Sequence, residues 1–137
     1  MVATVTTISA VTRPLPGTGA SVGTSGGRSV VVDRPEGVAG GAGLGFNGGQ
    51  LLALALAGCL ANDLRYAAPD PLDPRLDAVR VHVDVDVEEG RVTGARVRFE
   101  GVGDGAQGLA ELVRTALAGS TVLAAVRGGL PVQVLPG

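Results

Sequence analysis

The sequence predicts an α+β fold in which antiparallel sheets pack against a buried central helix. Short runs rich in Val, Thr and Ile alternate with turn residues, a long central stretch is apolar and uncharged, and a pair of alternating segments follows it. The chain has 137 residues, the length of one domain, so we expect residues 1–137 to form a single domain. The predicted order of elements is β-β-β-α-β-β-α-α-β.

Three short strands are predicted before the central helix. Ala3–Val11 is rich in Thr, Val and Ile and ends at the turn residues Arg13–Gly17. Ala20–Thr24 is the second predicted strand, and Ser29–Asp33 is the third. A glycine-rich loop, Gly37–Gly49, then leads to the helix, and we interpret this loop as flexible.

The central helix is predicted over Gln50–Ala68. Leu, Ala and Gln favour a helix, and leucines on nearly every side are typical of a helix that lies in the core. Asn47 is the expected N-cap, and Pro69 and Pro71 end the helix.

Asp77–Glu88 and Arg91–Glu100 are predicted to form an antiparallel hairpin with one face in the core. The valines of its first strand point inward, and the charged residues point outward together with His82. Because His82 is the only histidine and faces solvent, a Ser-His-Asp triad is not expected.

The pairing of this hairpin has a parity problem. A two-residue turn at Glu89–Gly90, continued regularly, would put Arg96 on the core face, since a shift of one residue reverses the faces of a strand. We therefore predict a β-bulge, with Gly94 as the favoured position, or an odd-numbered loop around Glu88–Val92.

Two helices and a strand are predicted to complete the chain. Ala106–Ala118 is the second helix, with Gly119 as its C-cap, and Thr121–Arg127 is a short third helix. Leu130–Leu135 is predicted as a final strand.

The composition argues against several classes of function. Three aromatic residues and a net charge of -2 argue against nucleic-acid binding, which uses aromatic side chains to stack bases and basic residues to bind phosphate. One Cys and one His are too few for a zinc site of the Cys/His type or an intrachain disulfide, and we expect no metal. Met1–Val11 lacks the features of a signal peptide and no apolar run is long enough to span a bilayer, so we expect a cytoplasmic protein without a membrane partner.

One glycine motif has a nucleotide-binding interpretation. Gly43–Gly48 fits G-x-G-x-x-G, but that motif requires a strand directly before it and a βαβ unit after it. Here Gly37–Ala42 precedes the motif and an antiparallel hairpin follows the helix, so we predict no cofactor.

Cys59 has two interpretations. Buried cysteines are common as small hydrophobic residues. However, Cys59 lies where the apolar face of the helix meets its polar end, with Asn62 and Asp63 one turn later. If the protein catalyses a reaction without a cofactor, Cys59 is its obvious nucleophile, and a reactive thiolate would need a cation nearby.

The segment from Asn47 to Cys59 reads N-G-G-Q-L-L-A-L-A-L-A-G-C. It resembles the first signature of the OsmC/Ohr family (osmotically inducible protein C and organic hydroperoxide resistance proteins), which reads approximately N-P-E-Q-L-x-A-A-x-x-x-x-C. The Pro and Glu of that signature fall at Gly48 and Gly49. The resemblance covers nearly the whole chain and implies an OsmC-like fold in an intertwined homodimer.

The resemblance also implies a peroxiredoxin-like thiol peroxidase that acts in oxidative-stress defence. In the family, one Cys attacks a hydroperoxide and becomes a sulfenic acid, a second Cys closes a disulfide, and external thiols reopen it. Cys59 matches the first Cys, whereas the second falls at Ser120, so an external thiol would have to reduce the sulfenic acid. Arg13, or alternatively Arg28, matches the Arg that stabilises the thiolate.

The family Glu that holds this Arg is lost at Gly49. Asp63 or Glu36 would replace it, and we expect the Arg to lie between that carboxylate and Cys59, because a carboxylate in direct contact disfavours a thiolate. Substrate-binding roles are assigned on the same resemblance to Asn47, Gln50 and Leu56.

Two functions therefore remain open. The first is a one-Cys hydroperoxide reductase, which the position of Cys59 favours. The alternative is a catalytically degenerate OsmC-like dimer that binds a small hydrophobic ligand or acts as a scaffold, which the losses at Gly49 and Ser120 favour. The expected partners are a second copy of the chain, an organic hydroperoxide or a hydrophobic ligand, and an external thiol reductant, with neither nucleic acid nor membrane.

Overall fold

The structure is a computed structural model that describes residues 3–103 and 108–137. The chain divides into two compact units, Met1–Leu51 and Leu52–Gly137. Antiparallel sheets and α-helices occur together, so the predicted α+β class is confirmed.

The first unit contains a three-stranded antiparallel sheet in the order β1-β2-β3. Its strands are β1 (Val11–Pro14), β2 (Ser21–Ser25) and β3 (Arg28–Val32). The second and third predicted strands are confirmed to within a residue or two of their ends.

The first predicted strand is wrong in its limits, because Ala3–Ala10 forms no strand and β1 begins at Val11. The reason is the length of the partner: Val11 pairs with Thr24, and β2 ends one residue later. The strand also runs through the predicted break to Pro14, which an edge strand tolerates as its last residue.

A buried carboxylate holds the glycine-rich loop that follows β3. The Asp33 side chain accepts the backbone N–H groups of Ala42 and Leu44 at 3.1 and 3.0 Å, and that of Arg34 at 2.7 Å. Further along, an added Cβ at Gly45 would clash with the carbonyl oxygen of Val31. The loop that the sequence suggested to be flexible is therefore fixed by hydrogen bonds and by close backbone contact.

Asp33 gives the first unit a predictable pH dependence. The Leu44 backbone N–H is the main group that holds the pKa of Asp33 below its ordinary value, with help from Arg34 and Ala42 against the opposing effect of burial. A lowered folded-state pKa stabilises the fold above the unfolded-state value, near pH 4, and the stabilisation is lost as pH falls through the folded-state value.

We expect Asp33→Asn to lower the melting temperature by several degrees at pH 7, with a smaller difference from wild type as the pH falls below about 4. Glu36→Gln, which changes an exposed carboxylate of the same region, is the matched control. Thermal unfolding followed by circular dichroism across pH tests this, and a difference that is independent of pH would contradict it.

The second unit takes up most of the central helix, α1 (Gly48–Ala67), which begins at the end of the first unit. It continues with a 3-10 helix at Pro74–Ala78, which was not predicted from the sequence. The remaining elements are β4 (Arg80–Glu88), β5 (Arg91–Glu100), α2 (Leu109–Gly119) and α3 (Thr121–Gly128). The predicted start of α2 at Ala106 lies outside the described residues.

The core of this unit forms on one side of α1. Leu56, Leu60 and Leu64 are buried at successive turns, whereas Leu54 is 52% exposed. Leu56 and Leu60 pack with Leu123 of α3 and with the inward side chains of the hairpin. Burial of α1 in the single chain is therefore confined to one face, although its sequence is apolar on nearly every side.

The hairpin confirms the parity argument. The turn is the two-residue Glu89–Gly90, and both residues have positive φ as a type I′ turn requires. The register shifts between Asp86, which pairs with Gly94, and Val87, which pairs with Val92, so Thr93 is the additional residue. The bulge lies one residue from the predicted position.

The final predicted strand is wrong. Leu130–Leu135 has the alternating pattern of a strand but forms none, and its apolar side chains are exposed. Within the described part of the chain no strand pairs with this segment, and an isolated strand has no hydrogen-bond partners to stabilise it. Gly119 is likewise not a C-cap, since α2 includes it and ends against Ser120.

Among the described residues, no single helix is long and apolar enough to cross a membrane. The two short helices α2 and α3 reach the required length and composition only when counted together, and they are bent by 53° at their junction.

Candidate functional site

Three side chains meet at the middle of α1, and we call them the thiol cluster: Cys59, Asp63 and Ser120. The half-buried Cys59 Sγ donates to Asp63 Oδ2 at 3.5 Å and lies 3.6 Å from Ser120 Oγ. A nucleophilic sulfur therefore has a carboxylate and a hydroxyl within contact distance.

Helix geometry brings the first two members together. Cys59 and Asp63 are four residues apart on α1, so their side chains lie on the same face one turn apart. The contact is local and requires no other element of the fold.

Ser120 reaches the cluster by tertiary packing. It is the N-cap of α3, where its Oγ accepts the backbone N–H of Leu123 at 3.3 Å, and it is 3% exposed. Leu123 in turn packs on Leu56 and Leu60 of α1, which brings the start of α3 against the helix that carries Cys59. The same hydrophobic core thus places the hydroxyl beside the thiol.

The direct Cys59–Asp63 contact corrects one expectation. An Arg was expected between the carboxylate and the sulfur, but a separation of 3.5 Å leaves no room for a guanidinium group between them. The expected order of carboxylate, Arg and sulfur is therefore wrong for Asp63. The spacing of four residues was the signal that pointed to direct contact.

A cavity of about 180 Å³ lies within the second unit beside this cluster. Asp63 forms part of its wall, together with side chains of α1 and α2. The lining residues are Asp63, Tyr66, Ala67, Thr115, Ala116 and Gly119. A small molecule in this cavity would contact the residue that accepts the hydrogen bond of the Cys59 thiol.

The two candidate arginines belong to the first unit. Arg13 lies on β1 and is exposed. Arg28 begins β3, is exposed, and donates from Nη1 to the carbonyl oxygen of Gly26 at 3.1 Å. Glu36 is also exposed in the first unit. The roles assigned to these residues beside Cys59 stay predictions.

Asn47 and Gln50 form a reciprocal cap at the start of α1. Asn47 Oδ1 accepts the Gln50 backbone N–H, and Gln50 Oε1 accepts the Asn47 backbone N–H, both at 2.9 Å. The predicted N-cap is confirmed. Leu56 is 1% exposed in the core. The substrate-binding roles of these three residues stay predictions.

His82 lies on the outer face of the hairpin, as predicted. Its Nε2 is 2.9 Å from Glu100 Oε2, and this contact is the main reason that the pKa of Glu100 lies below its ordinary value. Among residues 3–103 and 108–137, no group of three or more His, Cys, Asp or Glu side chains is placed to hold a metal ion.

The family described as OsmC-like protein matches this chain over residues 40–135. Comparison with curated proteins gives no match.

Several solved structures share the fold, including the following three. An organic hydroperoxide resistance protein OsmC from Legionella pneumophila is 19% identical, with a TM-score of 0.58 over 92% of this chain and 93% of that one. An OsmC-like protein from Mycoplasma pneumoniae is 15% identical, with a TM-score of 0.64 over 90% and 87%. An organic hydroperoxide resistance protein from Elizabethkingia anophelis is 22% identical, with a TM-score of 0.58 over 93% of each chain.

Proposed function

The chain belongs to the OsmC-like protein family, and from this premise we propose that it is a one-Cys hydroperoxide reductase with Cys59 as its nucleophile. The observation that carries the proposal is the thiol cluster. The only cysteine of the chain lies at the middle of α1, half-buried, with polar partners on two sides.

The proposed reaction begins when Cys59 Sγ attacks one oxygen of the hydroperoxide. The O–O bond breaks, the sulfur is oxidised to sulfenic acid, and the peroxide is reduced to an alcohol. An external thiol then attacks the sulfenic sulfur, which forms a mixed disulfide and releases water. A second external thiol then attacks the external sulfur of this mixed disulfide, which releases the Cys59 thiol and a disulfide of the two external thiols. Arg13, or alternatively Arg28, supplies the cation that stabilises the thiolate.

The position of Ser120 supports the need for an external thiol. Its Oγ is 3.6 Å from the Cys59 sulfur, the place from which a second cysteine would close a disulfide, and a hydroxyl cannot do so.

We place the protein in the cytoplasm, where reduced thiols are available. We also retain a single domain, because the family match at residues 40–135 runs across the boundary between the two units.

The test is to oxidise the reduced protein with cumene hydroperoxide in the presence of dimedone, which traps sulfenic acids. We expect one dimedone adduct per chain, at Cys59, and recovery of the free thiol when an external thiol replaces dimedone. A Cys59 thiol that remains unmodified after excess peroxide would overturn the proposal. Because the chain has one cysteine, the intact mass alone identifies the modified residue.

We expect the protein to be a homodimer. The outer side of α1 around Leu54 is exposed, and so are apolar side chains in both terminal segments, such as Ile8 and Val134. Exposed apolar surface of this kind marks association sites. Light scattering at micromolar concentration should give about twice the 13.5 kDa of one chain, whereas a mass near 13.5 kDa would contradict the prediction.

A groove in the first unit favours the second candidate, a degenerate member that binds a small hydrophobic ligand. The groove has a volume of about 330 Å³ and runs along the three strands, with walls that include Val11, Val30 and Leu51. Pockets of this size and character hold small apolar molecules. Saturable binding of a fluorescent fatty acid, lost in Val30→Asp, combined with an unreactive Cys59, would favour this function over the reductase.

A further inference from the structure

We propose that Asp63 is the proton carrier of the peroxide reaction, taking the proton of the Cys59 thiol and delivering it to the alkoxide that leaves the hydroperoxide. The inference rests on the proposed function and adds a second catalytic residue to the same site.

The contact with the sulfur is the first argument. Asp63 Oδ2 accepts the thiol hydrogen bond at 3.5 Å, so the proton has a defined acceptor before any substrate arrives. Among the described residues, Asp63 forms no ion pair that would hold its carboxylate elsewhere. A carboxylate in this position is able to exchange a proton with the thiol.

The cavity beside the cluster is the second argument. Asp63 contacts the Cys59 sulfur and also lines the cavity of about 180 Å³ between α1 and α2. One residue therefore reaches both the nucleophile and the space in which a small peroxide would fit. A general acid must lie within hydrogen-bond distance of the atom that it protonates, so the proposal requires the peroxide to approach the sulfur with its leaving oxygen toward Asp63.

The chemistry gives the third argument. As Sγ bonds to the hydroxyl oxygen of ROOH, the O–O bond breaks and RO⁻ leaves with the electron pair. The thiol proton passes to Asp63 and then to RO⁻, so the products are Cys59–SOH and ROH, and Asp63 returns to its initial state. A carboxylate that stayed ionised beside the thiolate would oppose the reaction by charge repulsion, whereas one that carries the proton removes that repulsion.

The leaving group provides the experiment. The alkoxide from cumene hydroperoxide requires a proton, whereas the acetate that leaves peracetic acid does not, and both reagents give the same sulfenic acid. We expect Asp63→Asn to slow single-turnover oxidation of Cys59 by cumene hydroperoxide about 100-fold more than oxidation by peracetic acid, because both reactions need the thiol deprotonated but only the alkoxide needs a proton delivered. Glu111→Gln, which changes an exposed carboxylate on α2, should leave both rates unchanged.

A second variant separates proton transfer from folding. In Asp63→Ala, formate should restore part of the rate with cumene hydroperoxide in proportion to its concentration, while chloride at the same ionic strength should not. Equal losses with both oxidants, or no loss with either, would overturn the role of Asp63 while the reductase proposal stood. A wild-type protein that reacts with neither oxidant would overturn the reductase proposal and the proton carrier together.

Discussion

Replacing Cys59 with serine should abolish the consumption of cumene hydroperoxide. The chain contains one cysteine, so no other side chain can form the sulfenic acid, and a serine hydroxyl is not oxidised in this way. The substitution exchanges sulfur for oxygen beside Asp63 and Ser120, both of which accept hydrogen bonds from a hydroxyl, so the fold should persist. A ferrous–xylenol orange assay for residual peroxide, with a thiol reductant present, measures the loss.

Ser120→Ala is the matched control for the loss of peroxide consumption, because it removes the hydroxyl that contacts the Cys59 sulfur and keeps the sulfur itself. We expect it to lower stability by about 1 kcal/mol, the usual cost of removing an N-cap, and to leave peroxide consumption unchanged. Folded Ser120→Ala protein without activity would show that the roles assigned to the two residues are wrong. Cys59→Ser protein with wild-type activity would also show that these roles are wrong.

Replacing Ser120 with cysteine should convert the site to a two-cysteine pair. The hydroxyl already points at the Cys59 sulfur from 3.6 Å, and a disulfide requires about 2.05 Å between sulfur atoms, which small rotations of the two side chains can supply. After one equivalent of cumene hydroperoxide we expect an intrachain disulfide in place of a dimedone adduct. The bond would close a loop between residues 61 positions apart, and the chain-entropy model assigns about 4 kcal/mol of stabilisation to a loop of that size.

Intact mass with and without a reductant, and melting temperature in both states, measure this prediction. Thr121→Cys is the control, since position 121 is adjacent in sequence but its side chain is exposed. An oxidised Ser120→Cys protein that still binds dimedone at Cys59 would contradict the placement of these two side chains. An intrachain disulfide in Thr121→Cys would show that the contact at Ser120 is not specific.

The local features of this fold were predictable because they depend on neighbours in the sequence. The cap at Asn47 and the helix that follows it depend on residues a few positions apart. The need for a bulge or an odd-numbered loop followed from the alternation of the hairpin, since a charged Arg96 had to stay out of the core, and the observed bulge at Thr93 lies one residue from the favoured Gly94. The family resemblance rested on the same kind of local signal, the spacing from Asn47 to Cys59, and the OsmC-like match over residues 40–135 confirms it.

The limits of the strands near both termini could not be predicted in this way. Ala3–Ala10 and Leu130–Leu135 have strand composition, but a strand exists only where a partner offers hydrogen bonds. The length of β2 decides where β1 begins, and that length is not encoded in the residues of β1. Likewise, Asp33 was assigned to the end of a strand, and only the fold of the following loop shows that its carboxylate holds Ala42 and Leu44.

The sequence by itself therefore determined the fold class, the family and the identity of the single candidate nucleophile, because composition, periodicity and motif spacing are all properties of the chain read in order. Asp63 lies one helical turn from that nucleophile, but only the tertiary structure decided which distant residue and which cavity lie beside it. Ser120 and Cys59 are 61 residues apart, and they meet because Leu123 packs into the leucine face of α1. Contacts between distant segments are selected by the packing of the whole core, so the hydroxyl at the sulfur and the cavity beside Asp63 emerge only when that core has formed.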